Sequence, residues 1–98
     1  MDKIYSLLGL CQKAGKIVSG EVATELAIKN KTAKLLLIAE DASENTKKKF
    51  QNSANYYHIP IFVLDSKERL GMALGKESRA ILAVTEEGFA KSILKKIN

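Results

Sequence analysis

The chain has 98 residues, 46% of them hydrophobic and 28% charged, a balance that predicts one compact domain and argues against a disordered segment. The formal net charge of +5 and a pI near 9.4 favour a polyanionic partner such as RNA, because lysine and arginine neutralise phosphates. No apolar stretch reaches the roughly 20 residues of a membrane-spanning helix and the N-terminus lacks the order of a secretory signal, so we expect a cytoplasmic protein with no membrane partner.

The first predicted helix runs from Lys3 to Ala14, with Asp2 as its cap and Gly15 as a left-handed residue at its end. Its apolar positions follow the i, i+3, i+4, i+7 rule: Ile4, Leu7, Leu8 and Cys11. Cys11 is the only cysteine, so it has no partner for an internal disulfide or a zinc site. We interpret it as a small core residue rather than a reactive thiol.

A short strand is predicted at Lys16–Val18, and Ser19 is a suitable N-cap for a second helix that reaches about Asn30. Gly20 stands at the entrance of this helix. The continuous apolar run Leu35–Ala39 is typical of a strand covered on both faces, and we predict that it is the central strand of a sheet.

The next segment alternates again between helix and strand. Ser43 is predicted to cap a polar third helix that ends near Tyr57. A strand follows at Ile61–Leu64, and Ser66 caps a fourth helix that stops near Gly75.

The last two predicted elements are a buried strand at Ala80–Val84 and a helix capped by Thr85. The inward stripe of that helix consists of Phe89, Ile93, Leu94 and Ile97. Short buried strands that alternate with helices need an apolar helix face on both sides. The predicted fold is therefore α/β, a three-layer α/β/α sandwich whose four-stranded mixed sheet carries helices on both faces.

The sequence offers no arrangement typical of catalysis. The segment Gly71–Glu77 resembles a phosphate-binding P-loop but has three residues between its glycines instead of four, and Glu77 replaces the hydroxyl residue that binds magnesium. His58 is the only histidine and no acid or nucleophile is set beside it by spacing. Glu40 and Asp41 are strand neighbours that point to opposite faces. We expect no enzyme, no metal and no cofactor.

Two features favour binding. The charged turn Gly75–Arg79 lies between two apolar elements, where connecting loops often present binding groups. The first turn of the second helix offers unpaired backbone N–H groups, and Gly20 permits close approach. Tyr56 and Tyr57 could stack on unpaired bases, but aromatic residues at a helix end are more often part of the core, which is the interpretation we adopt.

Taken together, several segments resemble the kink-turn RNA-binding ribosomal proteins of the L7Ae family, in order and spacing and over nearly the whole chain. The resemblance is closest to the short bacterial members. The matching segments are Val18–Glu21, Ala33–Ala42, Ile59–Pro60, Ser66–Lys67, Leu70–Gly71, Gly75–Arg79 and Val84–Ala90.

The resemblance implies a non-catalytic protein that grips a sharply bent RNA loop containing sheared G·A pairs. In that family the start of the second helix meets the edges of those pairs, and the loop after the fourth helix packs on a nucleotide turned out of the stack. Carried over by position, with the basic residues expected nearby, the implied RNA-binding residues are Lys16, Gly20, Glu21, Val22, Ala23, Lys34, Lys67, Leu74, Gly75, Lys76, Glu77, Ser78 and Arg79. The implied partner is a structured RNA, with ribosomal RNA and the ribosome as candidates, and we expect a monomer.

The helix entrance departs from the family pattern, because Val22 and Ala23 stand where polar base readers are usual and Leu26 replaces a lysine. Apolar side chains cannot hydrogen-bond guanine edges, so recognition there would depend on backbone N–H groups, on Glu21 or on nearby lysines. Two further interpretations stay open. Val22 and Leu26 either turn inward as core or form an exposed patch for a protein partner, which would make the chain a protein-interaction or scaffold module.

Overall fold

The computed structural model describes residues 2–97, apart from the side chain of Asp2, so the predicted Asp2 cap lies outside the described part. Its elements are α1 Asp2–Lys13, β1 Ile17–Ser19, α2 Glu21–Lys29, β2 Leu35–Ile38, α3 Glu44–Tyr57, β3 Ile61–Val63, α4 Lys67–Ala73, β4 Ile81–Val84 and α5 Glu87–Ile97. Every predicted element is present, with its ends within about two residues of the prediction.

The four strands form one mixed sheet in the order β1-β4-β2-β3. Strand β4 pairs antiparallel with both β1 and β2, whereas β2 and β3 are parallel. The inner strands β2 and β4 are buried along their whole length, as the continuous apolar runs predicted.

Helices cover both faces of the sheet. Helix α1 packs against α4 and α5 on one side, and α2 packs on β1 and β4 with α3 beside it on the other. Phe50 of α3, Leu8 of α1 and Ile93 of α5 have no solvent exposure. The predicted α/β/α sandwich is confirmed. No helix within residues 2–97 is long and apolar enough to traverse a lipid bilayer.

Two of the four remaining cap predictions are confirmed. Ser43 accepts a hydrogen bond from the Thr46 amide at 3.1 Å, and Ser66 accepts one from the Arg69 amide at 3.2 Å. Each places a side-chain oxygen on an amide that the helix itself leaves unpaired.

The caps predicted at Ser19 and Thr85 are wrong. Ser19 is the last residue of β1, and Gly20 is the N-cap of α2. Thr85 donates its hydroxyl to the Lys16 carbonyl, while Glu86 accepts from the Phe89 amide at 2.7 Å and so caps α5. Strand β1 continues one residue further than the sequence indicated, and the Thr85 amide and hydroxyl both bond the Lys16 carbonyl, so the N-cap of each helix lies one residue later.

The core interpretation of Tyr56 is also wrong, since its side chain is 78% exposed. The buried stripe of α3 consists of Thr46, Phe50 and Ala54, spaced by four residues. Tyr56 lies about 200° around the helix from Ala54 and therefore points to solvent. Tyr57 packs partly against the core and meets Tyr56 edge to face, with 4.9 Å between ring centroids.

Candidate nucleic-acid interface

The junction between β1 and α2 is built around Gly20. Its backbone has φ 89° and ψ 162°, a conformation that is costly for any residue with a Cβ. The Gly20 amide donates to the Ile81 carbonyl at 2.9 Å, and the Gly20 carbonyl accepts the first helical bond from Thr24. Gly20 supplies no side-chain cap for the amides of the first turn of α2.

The loop after α4 begins with a Schellman motif. The Gly75 amide donates to the Met72 carbonyl and the Lys76 amide to the Gly71 carbonyl, at 3.0 and 2.8 Å, with Gly75 at φ 69°. This reversal closes the helix and sets Lys76 at the tip of the loop, where its side chain is exposed.

The α2 entrance and the Gly75–Arg79 loop meet through Arg79. Its Nε donates to Ser19 Oγ at 3.0 Å, and its backbone amide donates to the Lys67 carbonyl at 3.0 Å. The three segments therefore form one surface at one edge of the sheet. We refer to this surface, made of Ser19–Ala23, Lys67 and Gly75–Arg79, as the loop interface.

Asp41 completes the support of this edge. It follows β2, and its Oδ1 accepts a hydrogen bond from the Lys67 amide at 2.8 Å, in the first turn of α4. This bond ties the start of α4 to the end of an inner strand, so Lys67 is held beside the loop. The structure thus gives Asp41 a positioning role.

Not every predicted residue reaches the loop interface. Leu74 is 5% exposed and packs in the core, so its side chain is closed to a ligand. Lys16 and Lys34 lie at the other edge of the sheet, where the Lys16 carbonyl accepts from the Thr85 amide and the Lys34 amide donates to Val84. The four residues of β4 separate the two edges by about 13 Å.

Val22 and Leu26 are 78% and 55% exposed, which excludes the interpretation that they turn inward as core. Ala23 is half-buried beside them. The α2 face next to the loop is therefore an apolar patch made of Val22, Ala23 and Leu26, which we call the α2 patch.

Polar contacts from α3 border the α2 patch. Thr46 donates its hydroxyl to Glu21 at 3.0 Å, and Lys49 lies 2.7 Å from a Glu25 carboxylate oxygen and 3.8 Å from Glu21. Hydrogen bonds from Lys49 and then Lys29 hold the pKa of Glu25 below its ordinary value. Glu21, the charged side chain at the helix entrance, is thus turned towards α3.

Within residues 2–97, no group of three or more histidine, cysteine, aspartate or glutamate side chains is arranged to hold a metal ion.

Comparison with known proteins agrees with this architecture. The family model of ribosomal protein L7Ae/L30e/S12e/Gadd45 matches residues 2–94. The chain belongs to this family. The predicted resemblance is confirmed, and the family's match covers all four strands and the loop interface.

Two relatives and one solved structure place the chain within the L7Ae/L30e/S12e/Gadd45 family more closely. A protein of Bacillus subtilis (strain 168), named RNA-binding protein YlxQ, is 46% identical over 90 residues, which is 92% of this chain and 90% of the relative. A protein of the same name from Enterococcus faecium is 42% identical over 92% of this chain and 86% of its own length. A Bacillus halodurans structure, described as a protein with unknown function, has a TM-score of 0.95 at 33% identity and covers 99% of this chain and 98% of its own.

Sequence reasoning missed four residues that shape the loop interface of this family member: Ser19 as acceptor for Arg79, Asp41, Thr46 and Lys49. For Asp41 a signal existed, since polar residues after an inner strand of an α/β sheet lie at its edge. Nothing local indicates the other three, because their partners are on distant elements.

Proposed function

We propose that this protein is a non-catalytic RNA-binding protein, associated with ribosomal or other structured RNA, that recognises a kink-turn-like element through the loop interface. The observation that carries the proposal is the hydrogen bond from Arg79 to Ser19, which brings the charged loop and the open first turn of α2 onto one surface. The names of the two YlxQ relatives, each called an RNA-binding protein, support it.

The chemistry of the loop interface suits a bent RNA. Lys76 and Arg79 offer positive charge to phosphates, and the amides of the first turn of α2 offer donors at the positive end of the helix dipole. A kinked internal loop exposes base edges that the regular A-form groove hides. Close approach at Gly20 would allow the amides of the first turn of α2 to donate hydrogen bonds to those edges. Val22 then packs on bases or sugars instead of hydrogen-bonding them.

The decisive experiment is a titration with a kink-turn RNA and with a variant RNA whose sheared G·A pairs are replaced, each at two salt concentrations. We expect tighter binding to the intact kink-turn at both. Equal affinity for both RNAs would refute specific recognition, even with a steep salt dependence, because phosphate contacts alone produce that dependence.

A double variant locates the contact. Lys76→Ala with Arg79→Ala is expected to weaken kink-turn binding at least about tenfold and to lower the salt slope by about one to two units. Lys95→Ala with Lys96→Ala removes the same charge from the last turn of α5, outside the loop interface, and is the matched control. An equal loss of kink-turn affinity in the two double variants would show that binding depends on the overall charge and not on the loop interface.

One observation favours a second candidate, a protein-interaction or scaffold module on the same fold. The α2 patch leaves Val22 and Leu26 exposed to water, as a contact for a protein partner or a second copy would require. Size-exclusion chromatography with light scattering separates the two. A monomer whose RNA binding is weakened by Lys76→Ala with Arg79→Ala supports the first proposal, and a dimer broken by Leu26→Glu supports the second.

A further inference from the structure

A concave surface lies at the opposite edge of the sheet from the loop interface. It has a volume of about 960 Å³, at the upper end of the range typical of ligand sites. Its walls are the ends of α2 and α3 and the first two turns of α5, and its floor is apolar, with Ile28 and Ala90 buried. We call this surface the far groove.

The rim of the far groove is basic. Lys31, Lys34 and Lys91 line it with exposed side chains, against a single lining carboxylate, Glu87. Among the described residues, none of these three lysines lies within salt-bridge distance of a carboxylate, whereas Lys29 and Lys49 are both paired. The three positive charges are therefore available to an anionic ligand.

An aromatic platform stands beside these charges. Tyr56 lines the far groove with 78% of its surface exposed and rests edge to face on Tyr57. The ring of Tyr56 is therefore held by a neighbour and leaves one side open to solvent, where a flat ligand can stack on it. Every nucleobase has a flat face that can do so.

We propose that the far groove binds a single-stranded RNA segment, with a base stacked on Tyr56 and phosphates at Lys34 and Lys91. Combined positive charge and exposed aromatic rings are how proteins hold single strands without reading their sequence. The choice of RNA over DNA as the ligand rests on the proposed function. The inference that the far groove suits a single strand does not, because it is drawn from the charge and the exposed ring of the groove. Since β4 separates the two surfaces, one molecule can hold a folded element at the loop interface and a flanking strand in the far groove.

The test uses a fluorescein-labelled oligouridine of about ten nucleotides, which contains no kink-turn, and fluorescence anisotropy at low salt. Tyr56→Ala is expected to weaken its binding about fivefold or more, and Lys34→Glu with Lys91→Glu at least about tenfold. Lys47→Glu with Lys48→Glu makes the same change of charge on the β3 side of α3 and is expected to change binding less than about twofold.

Equal loss in the two charge-reversal pairs, or unchanged affinity in Tyr56→Ala, would overturn the proposal. Amide chemical shifts locate the ligand independently of any variant. Oligouridine should shift the signals of Lys34, Tyr56 and Lys91, and shifts confined to Gly20–Ala23 and Gly75–Arg79 would also overturn it.

The two proposals fail separately. In the Lys76→Ala, Arg79→Ala variant, oligouridine binding is expected to persist while kink-turn binding is lost. Loss of both would mean that the single strand uses the loop interface, which contradicts a separate site. A protein that ignores kink-turn RNA and still binds oligouridine through Tyr56 would refute the proposed function and leave the far groove standing.

Discussion

Arg79 Nε lies 3.0 Å from Ser19 Oγ and donates a hydrogen bond to it across sixty positions of sequence. The same guanidinium donates from Nη1 to the Ser78 carbonyl at 2.9 Å. Two acceptors on different segments fix the orientation of its plane, and the fork of an arginine suits such a double contact. The side chain thus joins the end of β1 to the end of the charged loop.

Removal of the Ser19 hydroxyl tests whether this bond positions Arg79 for RNA. Ser19→Ala is expected to weaken kink-turn binding about three- to tenfold and to lower the free energy of unfolding by about 1 kcal/mol or less, since one neutral acceptor is lost. Isothermal titration calorimetry and urea denaturation measure the two effects.

Ser78→Ala is the control for the stability effect, because Arg79 contacts Ser78 only through the backbone carbonyl, which the substitution keeps. An equal loss of stability in the two variants would contradict a specific role for the Ser19 contact.

Gly20→Ala is expected to strain the backbone and to lower the stability of the protein. A Cβ there would meet no atom within 4 Å, so the cost comes from φ +89° alone, about 1–3 kcal/mol of stability. In contrast, Gly9→Ala lies inside α1, with its nearest contact at 3.7 Å, and is expected to stabilise by up to about 1 kcal/mol. Urea denaturation of Gly20→Ala and Gly9→Ala measures the change in the free energy of unfolding, which is expected to have opposite signs in the two variants. Destabilisation by Gly9→Ala would contradict the prediction.

Gly71 permits the charged loop to fold back over α4. A Cβ at this position would lie 1.7 Å from the Glu77 carbonyl oxygen, a backbone atom that cannot move alone. Gly71→Ala is therefore expected to cost about 1–3 kcal/mol or more and to displace the loop, with loss of kink-turn affinity. Full affinity together with wild-type stability would show that the loop packs differently from the structure.

The Glu86 carboxylate makes the stability of the protein depend on pH. Hydrogen bonds from the Phe89 and Gly88 amides hold the pKa of Glu86 below its ordinary value in the folded state. Its contribution is therefore present above the ordinary glutamate range and is lost as the pH falls through the lowered pKa. Glu86→Gln should be less stable than the wild type at neutral pH, and the difference should shrink at about pH 3.

Glu87→Gln removes the same charge from the same turn of α5 and leaves the Glu86 cap intact, so it is the matched control. Thermal unfolding of both variants across the pH range measures the effect. A difference between wild type and Glu86→Gln that is constant with pH would contradict a role for the ionised carboxylate.

The Cys11 thiol is expected to be inert in the folded protein. Burial, together with the negative charge of Glu86, raises its pKa to about 11, and its side chain has no solvent exposure. Because the thiolate is the reactive form, a thiol reagent at about pH 8 should modify Cys11 very slowly in the native protein and rapidly in denaturant. Equal rates in both would show that Cys11 is accessible, against its interpretation as core.

Local sequence patterns predicted most of the helices and strands. The i, i+3, i+4 spacing in α1 and the continuous apolar run of β2 each depend on neighbours in sequence, and both elements form where those patterns lie. The caps at Ser43 and Ser66 succeeded for the same reason, since a capping hydroxyl bonds an amide three residues away.

The errors occur where a distant strand competes for the same residue. Ser19 has the chemistry of a cap, but pairing of β1 with β4 carries it into the sheet and leaves its hydroxyl to Arg79. Thr85 is likewise held by Lys16, and the cap of α5 moves to Glu86. No local rule ranks these alternatives, because the competing partner is many residues away in each case.

The sequence by itself determined the order of helices and strands, the buried strands and the family, because each depends on residues close together or on a pattern spread over the whole chain. Only the tertiary structure decided which charged residues share a surface. The register of β4 against β1 and β2 sets Gly20 and Arg79 at one edge and Lys16 and Lys34 at the other. Strand β4 has only four residues, but that length places the basic residues at its two ends on separate surfaces. The sequence alone does not show this separation.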